Sequence, residues 1–140
     1  MTSAIDPHID PGIAELILAM NESGLVKTIA SCQGHFYKRG DPYVYFAASE
    51  AMAARIESAL RKWSRGPEKR LCTTWTLMGF FNSECQLSFR LMSFEYYDSC
   101  TSSLWWAINY FFKKRQIQRD LRLLAELFRK AFQHRTTGDQ

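Results

Sequence analysis

Residues 71–96 read LCTTWTLMGFFNSECQLSFRLMSFEY, which is typical of two β-strands joined by a short turn. Asn82, Ser83 and Glu84 separate the segments 71–81 and 85–96 and predict a tight turn, so the stretch predicts a hairpin. Side chains alternate between the two faces of a strand. One predicted face carries Trp75, Leu77, Phe81, Leu87, Phe89 and Leu91. The other carries Met78, Phe80, Met92 and Phe94, so both faces of the hairpin are apolar.

The sequence before this hairpin predicts a helix and a first hairpin. The helix is predicted to begin near Asp10, as N-cap with Pro11 in the first turn, and to end at Gly24. Segments 25–31 and 43–47 are short and rich in residues that favour strands. A loop joins them, so the two segments predict an antiparallel pair.

Two further helices complete the predicted order. Residues 49–63 are rich in alanine and are followed by Gly66-Pro67, which ends the helix. The last helix follows residue 102, and no glycine or proline interrupts it before Gly138, although a bend or break is plausible at 113–116. Its apolar stripe is predicted to contain Leu104, Ile108, Phe111, Leu121, Leu124, Phe128 and Phe132. The order α-β-β-α-β-β-α predicts an α+β fold with a mainly antiparallel four-stranded sheet.

The composition predicts one globular domain over residues 1–140. Hydrophobic residues make up 46% and charged residues 23%, which excludes the composition of disordered chains. No apolar run approaches the ~20 residues that cross a bilayer, and the first twelve residues lack the pattern of an export signal. The cysteines at 32, 72, 85 and 100 form no C-x-x-C pair, so we expect reduced thiols in the cytoplasm.

The positive charge is concentrated in two segments. Residues 61–70 carry +4 and residues 113–140 carry +5, whereas residues 1–60 carry −3 and residues 71–112 carry −2. Such segregation favours an anionic partner, although basic segments are also common on ordinary solvated surfaces.

The turn 31–35, Ser-Cys-Gln-Gly-His, contains residue types used in catalysis and in ligand binding. A nearby imidazolium lowers the pKa of a thiol, so Cys32 and His35 are the candidate catalytic residues. Alternatively, the Ser31 hydroxyl, the backbone N–H groups around Gly34 and the His35 ring could hold a small ligand or a phosphate. A third interpretation is structural, with Gly34 at positive φ, Cys32 packed inward and His35 capping a carbonyl.

The same thiol and imidazole are also potential zinc ligands. Only His8, Asp10 and His134 could complete a site with Cys32 and His35, and their spacing matches no metal-binding pattern. The sequence therefore predicts no metal site.

Three short runs, MNESG at 20–24, TIASCQGH at 28–35 and PYVYF at 42–46, follow one another in this region. With them, residues 13–48 resemble the start of the tRNA wybutosine-synthesis methyltransferase family. In that family a helix ending in asparagine leads to a strand with a Ser-Cys-Ser-Gly-Arg turn. The resemblance implies a related fold or ligand-binding turn around Ser31, Cys32 and Gly34, transfer onto RNA, and S-adenosylmethionine as cofactor. Gln33 stands in place of the family's second serine and His35 in place of its arginine.

Aromatic and basic side chains supply candidate contacts to nucleic acid. Base stacking is possible for Tyr43, Tyr45, Phe46, Tyr96, Tyr97, Trp105 and Trp106, although aromatic residues in strands are more often core. Tyr97 and Trp106 lie off the main apolar face of their elements. The candidate contacts to phosphates or to a partner are Arg61, Lys62, Arg65, Lys69, Arg70, Lys113, Lys114, Arg115, Arg119 and Arg122.

Two functions are consistent with these features. The first is binding of a nucleotide or RNA at the Ser31–His35 turn, with phosphates held by the basic segments. The second is a non-enzymatic interaction or inhibitor protein, for example from a mobile genetic element, that binds a partner protein through its basic helix and aromatic residues. The residues do not distinguish an enzyme from a binding protein, and they set no oligomeric state.

Overall fold

The computed structural model describes residues 10–32, 42–93 and 103–132, except for the side chains of 103–107, 109 and 110. Its elements are α1 (Ala14–Glu22), β1 (Val26–Cys32), β2 (Tyr43–Ala48), α2 (Glu50–Ser64), β3 (Trp75–Phe81), β4 (Leu87–Ser93) and α3 (Ser103–Phe132). The predicted order and the α+β class are confirmed.

The four strands form one antiparallel sheet in the order β1-β2-β4-β3. Both predicted hairpins are present, and they join through their inner strands β2 and β4. In this central pair Val44 lies opposite Leu91 and Tyr45 lies opposite Arg90. Consecutive residues of a strand point to opposite faces and directly opposed residues share a face. Val44 and Leu91 therefore lie on one surface of the sheet, and Tyr45 and Arg90 lie on the other.

One surface of the sheet is covered by the helices. Side chains of β2 and β4 there share a single apolar cluster with all three helices. Its fully buried members include Leu16, Met20, Val44, Phe46, Ile56, Leu60, Leu91, Leu121, Leu124 and Phe128. Helix α1 packs against β1 and α3, and α2 packs against β3. Within the described ranges, no helix combines the length and the apolar character needed to cross a membrane.

The first helix begins later than predicted. Residues 11–13 form a turn in which the N–H of Ile13 donates to the Asp10 carbonyl at 3.1 Å, and α1 starts only at Ala14, without a side-chain cap. Gly12 has low helix propensity and follows Pro11, which favours a turn at this point. The predicted stop is correct, since Gly24 has φ +70° directly after the helix.

Two boundaries of the second hairpin differ from the prediction. Strand β3 begins at Trp75 rather than Leu71, because the backbone of residues 72 and 73 binds a side chain of α3 instead of a neighbouring strand. The turn extends to Gln86, because the Asn82 carboxamide oxygen accepts from the N–H groups of both Glu84 and Gln86.

The last helix continues through residues 113–116 without the predicted break. Leu121, Leu124, Phe128 and Phe132 are buried as predicted. Ile108 and Phe111 were assigned to the same stripe, and this was wrong, because their side chains are 48% and 68% exposed. Near the other end, Arg129 joins α3 to α1 by salt bridges to Glu15 and Glu22.

Candidate functional site

Ser31 and Cys32 end strand β1, beside the first residue of β2. Cys32 lies opposite Tyr43 and Ser31 lies opposite Val44, and both Ser31 and Cys32 are half-buried. Gln33, Gly34 and His35 lie outside the described residues, as do His8 and His134. The predicted pairing of Cys32 with His35 therefore stays a prediction. Within the described residues, no group of three or more His, Cys, Asp or Glu side chains could hold a metal ion.

A β-bulge determines which surface of the sheet Cys32 occupies. Thr28 pairs with Phe46 but Ala30 pairs with Tyr45, so Ile29 is an extra residue in β1. In a regular ladder Cys32 would share the face of Thr28 and Phe46, which is the helix-covered surface. The bulge instead puts Cys32 on the same surface as Tyr43 and Tyr45.

Arg90 lies at the centre of this second surface. Its guanidinium carbon is 5.2 Å from the ring centre of Tyr43 and 5.2 Å from that of Tyr45, which is cation–π distance. The two tyrosine rings are 4.6 Å apart, and Tyr45 is 5.1 Å from Phe80 on β3. Arg90 Nε is buried and has no hydrogen-bond acceptor in the described part of the chain. The result is a row of rings across the sheet with one cation in contact with it.

Burial raises the pKa of Tyr43 above its usual value of 10.0, with smaller contributions in the same direction from Cys32 and Tyr45. Arg90 acts in the opposite direction, since a cation favours the phenolate. The Tyr43 hydroxyl is therefore a neutral hydrogen-bonding group near pH 7, suited to binding rather than to accepting a proton.

Arg90 was not among the sequence-predicted site residues. It is the single charged residue in the run LSFRLMS, and a lone cation in a strand of otherwise uncharged residues is a usable signal. Its register with the tyrosines depends on strand pairing, which the sequence pattern does not specify.

The basic residues of the two charged segments converge at a second location. Lys69 and Arg70 follow α2, and Arg119 and Arg122 belong to α3, about 50 residues later in the chain. These four residues line an open cleft of about 680 Å³ together with Leu123 and Glu126, and we call it the basic cleft. The structure thus brings together four of the ten predicted phosphate contacts.

The cations of the basic cleft differ from Arg61 and Lys62 in their salt bridges. Arg61 forms a salt bridge with Glu57 and Lys62 forms one with Glu68. In the part of the chain that the structure describes, Lys69, Arg70, Arg119 and Arg122 form no salt bridge. The cleft also contains one carboxylate, that of Glu126, so four cations face one acid and a net positive charge remains for an incoming phosphate.

The remaining predicted basic contacts lie elsewhere. Arg61 and Arg65 line a smaller cleft of about 310 Å³ between α2 and β3. On α3, Lys114 and Arg115 are exposed and Lys113 is half-buried.

A buried carboxylate holds the two walls of the basic cleft in place. Asp120, between Arg119 and Leu121, is fully buried. It accepts from the N–H groups of Cys72 and Thr73, both at 2.8 Å, from Thr73 Oγ1 at 2.6 Å and from Trp75 Nε1 at 3.2 Å. Charge-assisted hydrogen bonds of this kind are stronger than neutral ones. Asp120 is thus a positioning residue that fixes α3 against the segment after Arg70.

The predicted stacking residues divide into two groups where the structure describes them. Phe46 is fully buried in the core, so it cannot stack on a base. Tyr43 and Tyr45 are half-buried on the opposite surface. Tyr96 and Tyr97, together with the side chains of Trp105 and Trp106, lie outside the described part.

Comparisons of the chain with family models, curated proteins and solved structures give no match. The resemblance of residues 13–48 to the methyltransferase family therefore depends on the motif residues themselves. One of these, Asn21, joins α1 to β1: its carboxamide accepts from the Thr28 N–H at 3.0 Å and donates to Thr28 Oγ1 at 2.8 Å.

Proposed function

We propose that this chain is a cytoplasmic RNA-binding protein and that the basic cleft holds phosphates of the RNA. The observation that carries the proposal is the convergence of Lys69 and Arg70 with Arg119 and Arg122 around one open cleft. Phosphate contacts from lysine and arginine supply most of the sequence-independent affinity of nucleic-acid-binding proteins. The described cysteines, 32, 72 and 85, are thiols rather than disulfides, which suits the cytoplasm.

Three features favour a phosphate ligand over a simply solvated surface. The four cations come from two chain segments, so the fold concentrates charge that the sequence keeps apart. Two of the cations are arginines on consecutive turns of one helix, where they can bind phosphate oxygens in a bidentate manner. Asp120 fixes the segment and the helix relative to each other, so little ordering is needed on binding.

The turn after Cys32 is the second part of the proposal. Arg90, Tyr43 and Tyr45 lie on the same surface as Cys32 and offer a cation and two ring faces. A nucleotide has a matching phosphate and a matching planar base. We expect Arg90, Tyr43 and Tyr45 to contact a nucleotide of the RNA together with Ser31, Gly34 and His35.

Salt dependence of RNA binding tests the proposal. A labelled single-stranded RNA of about ten nucleotides is titrated with protein from about 50 to 200 mM salt, and binding is followed by fluorescence anisotropy. Each phosphate contact contributes a slope of about 0.7 to the logarithmic salt plot for single strands, so four contacts give about 2.8. Affinity should then fall about fiftyfold over this range.

Two double variants with the same change in net charge locate the contacts. Arg119→Gln with Arg122→Gln should reduce the slope by about 1.4, since two contacts are lost. Arg61→Gln with Lys62→Gln is the matched control, because these cations are already paired with Glu57 and Glu68 and lie outside the cleft. Equal slopes for the two variants, or a wild-type slope near zero, would refute the proposal.

Binding of a partner protein through α3 is the second candidate function. The observation in its favour is the exposure of the large apolar side chains Ile108, Phe111 and Phe112 next to the basic residues of that helix. A protein that binds no RNA at about 50 mM salt but associates with itself or with a partner through these residues would support this candidate.

A further inference from the structure

One side of α3 is exposed from residue 108 to residue 122. Its members are Ile108, Phe111, Phe112, Arg115, Arg119 and Arg122, and we call them the outward face of α3. Their spacing of three or four residues keeps them on one side of a helix. The opposite side carries the buried residues Ile117, Leu121 and Leu124.

The outward face is apolar in its first half and basic in its second. Phe111 is 68% exposed and Phe112 is 65% exposed. Exposed apolar side chains that cluster in this way mark binding surfaces more often than isolated ones do. In the second half, Arg119 and Arg122 also line the basic cleft, so the aromatic surface leads directly into it.

The charges around this face favour a polyanion as its occupant. No aspartate or glutamate occurs between Asp98 and Asp120 in the sequence. A second copy of the chain in a parallel pairing along this face would bring arginines near arginines, which costs free energy. In an antiparallel pairing Arg119 and Arg122 would lie opposite the apolar half of the other copy, which supplies no negative charge to neutralise them. A ligand with planar apolar groups and regularly spaced negative charges matches both halves at once.

We propose that the outward face of α3 makes the protein selective for single-stranded RNA. Unpaired bases stack on Phe111 and Phe112, while the adjoining phosphates lie on Arg115 and continue into the basic cleft. The face is about 21 Å long from residue 108 to residue 122, which leaves room for several nucleotides. In a duplex the base faces are covered by their neighbours, so the phenylalanine rings would add no affinity. This inference rests on the proposed function and adds its specificity.

A comparison of single-stranded and duplex RNA tests the inference. Phe112→Ala should weaken binding of the single strand about fivefold to a hundredfold, which is the effect of losing one base stack. The slope of the salt plot should not change, because no phosphate contact is removed. Binding of the duplex should be the same for wild type and variant. Alanine favours the helix, so the variant is expected to fold.

Two control variants separate stacking from other effects. Phe81→Ala removes a phenylalanine that is 72% exposed but belongs to β3 rather than to α3, and it should leave both affinities unchanged. Phe112→Leu keeps apolar bulk but has no ring, so it should weaken single-strand binding nearly as much as Phe112→Ala.

The outcomes distinguish this inference from the function on which it rests. A wild-type protein that binds neither RNA refutes both. A wild-type protein that binds RNA with a steep salt slope, together with Phe112→Ala that binds it equally well, overturns only the inference. The inference is also overturned if Phe112→Ala dissociates a dimer in sedimentation while RNA affinity stays constant, because the ring would then contact a second copy.

Discussion

Replacing Asp120 should destabilise the fold strongly, because its carboxylate is the acceptor for several donors that cannot reach water. In Asp120→Ala the N–H of Thr73 and the indole N–H of Trp75 lose their acceptor, and the two residues are only 4% and 3% exposed. A buried donor without a partner costs about 1–3 kcal/mol, and the lost packing adds to this. We expect the free energy of unfolding to fall by about 3–5 kcal/mol, a large part of a typical total of about 5–15 kcal/mol.

The substitution Asp120→Asn should lower the free energy of unfolding by less than Asp120→Ala does. The carboxamide can keep its oxygen at the position that accepts from Thr73 and Trp75, and its NH₂ then faces the Cys72 N–H. One hydrogen bond is lost and one donor meets another donor, so we expect a loss of about 1–3 kcal/mol.

Urea denaturation followed by tryptophan fluorescence measures both variants, with Glu126→Gln as the matched control. Glu126 lies on the same helix and is exposed, so its change should stay within about 0.5 kcal/mol. Native-state hydrogen exchange should show faster exchange at the Cys72 and Thr73 amides in Asp120→Ala. If Asp120→Ala and Glu126→Gln have equal stability, the argument that Asp120 fixes the cleft is wrong.

Two further predictions concern the sheet. Burial raises the pKa of Tyr43, so above pH 10.0 the folded protein keeps the phenolic proton while the unfolded chain loses it. Deprotonation therefore favours the unfolded chain, and the stability that the buried neutral hydroxyl contributes is lost as the pH rises beyond 10.0. Denaturation of wild type and Tyr43→Phe from pH 8 to about 11 should show a wild-type advantage that falls above 10.0; an advantage independent of pH would contradict it. Asn82→Ala removes the acceptor for two N–H groups of the β3–β4 turn and should cost about 1–2 kcal/mol, whereas Asn82→Asp, which keeps the oxygen, should cost less.

The order of the elements could be predicted from the sequence because local signals mark most boundaries. Gly24 and Gly66 both take positive φ where helices were predicted to stop, at +70° and +80°. Ser49 caps α2, since its hydroxyl accepts from the Met52 N–H at 3.1 Å. These interactions involve residues within a few positions of each other, so a local pattern contains them.

The error in the stripe of α3 has a geometric cause. Ile108 and Leu121 are 13 residues apart, which is about 3.6 turns, so they lie about 140° apart around the helix. Each half of the helix has an apolar pattern of its own, but the two patterns do not share a side. Leu121, Leu124 and Phe128 share the apolar cluster with side chains of α1 and the sheet, whereas Ile108 and Phe111 are exposed.

The two basic segments that form the basic cleft could be predicted from the sequence, but their convergence could not. The sequence shows that residues 61–70 and 113–122 are basic, but no local pattern specifies that Lys69 lies near Arg122. The burial of Asp120 could not be predicted either, because an acidic residue in a basic helix is normally a surface residue. Its burial depends on donors that lie 45 to 48 residues away in the sequence.

The packing of α1 against α3 has a consequence for how the protein is made. The Arg129–Glu15 salt bridge spans 114 positions, and the apolar side of α1 needs the last helix to cover it. At the ribosomal rate of about 5–20 residues per second, α1 leaves the ribosome roughly 5–20 s before its partner is complete. During that interval the nascent chain presents an uncovered apolar helix to the cell, so early release of the chain before α3 would yield a substrate for chaperones and proteases.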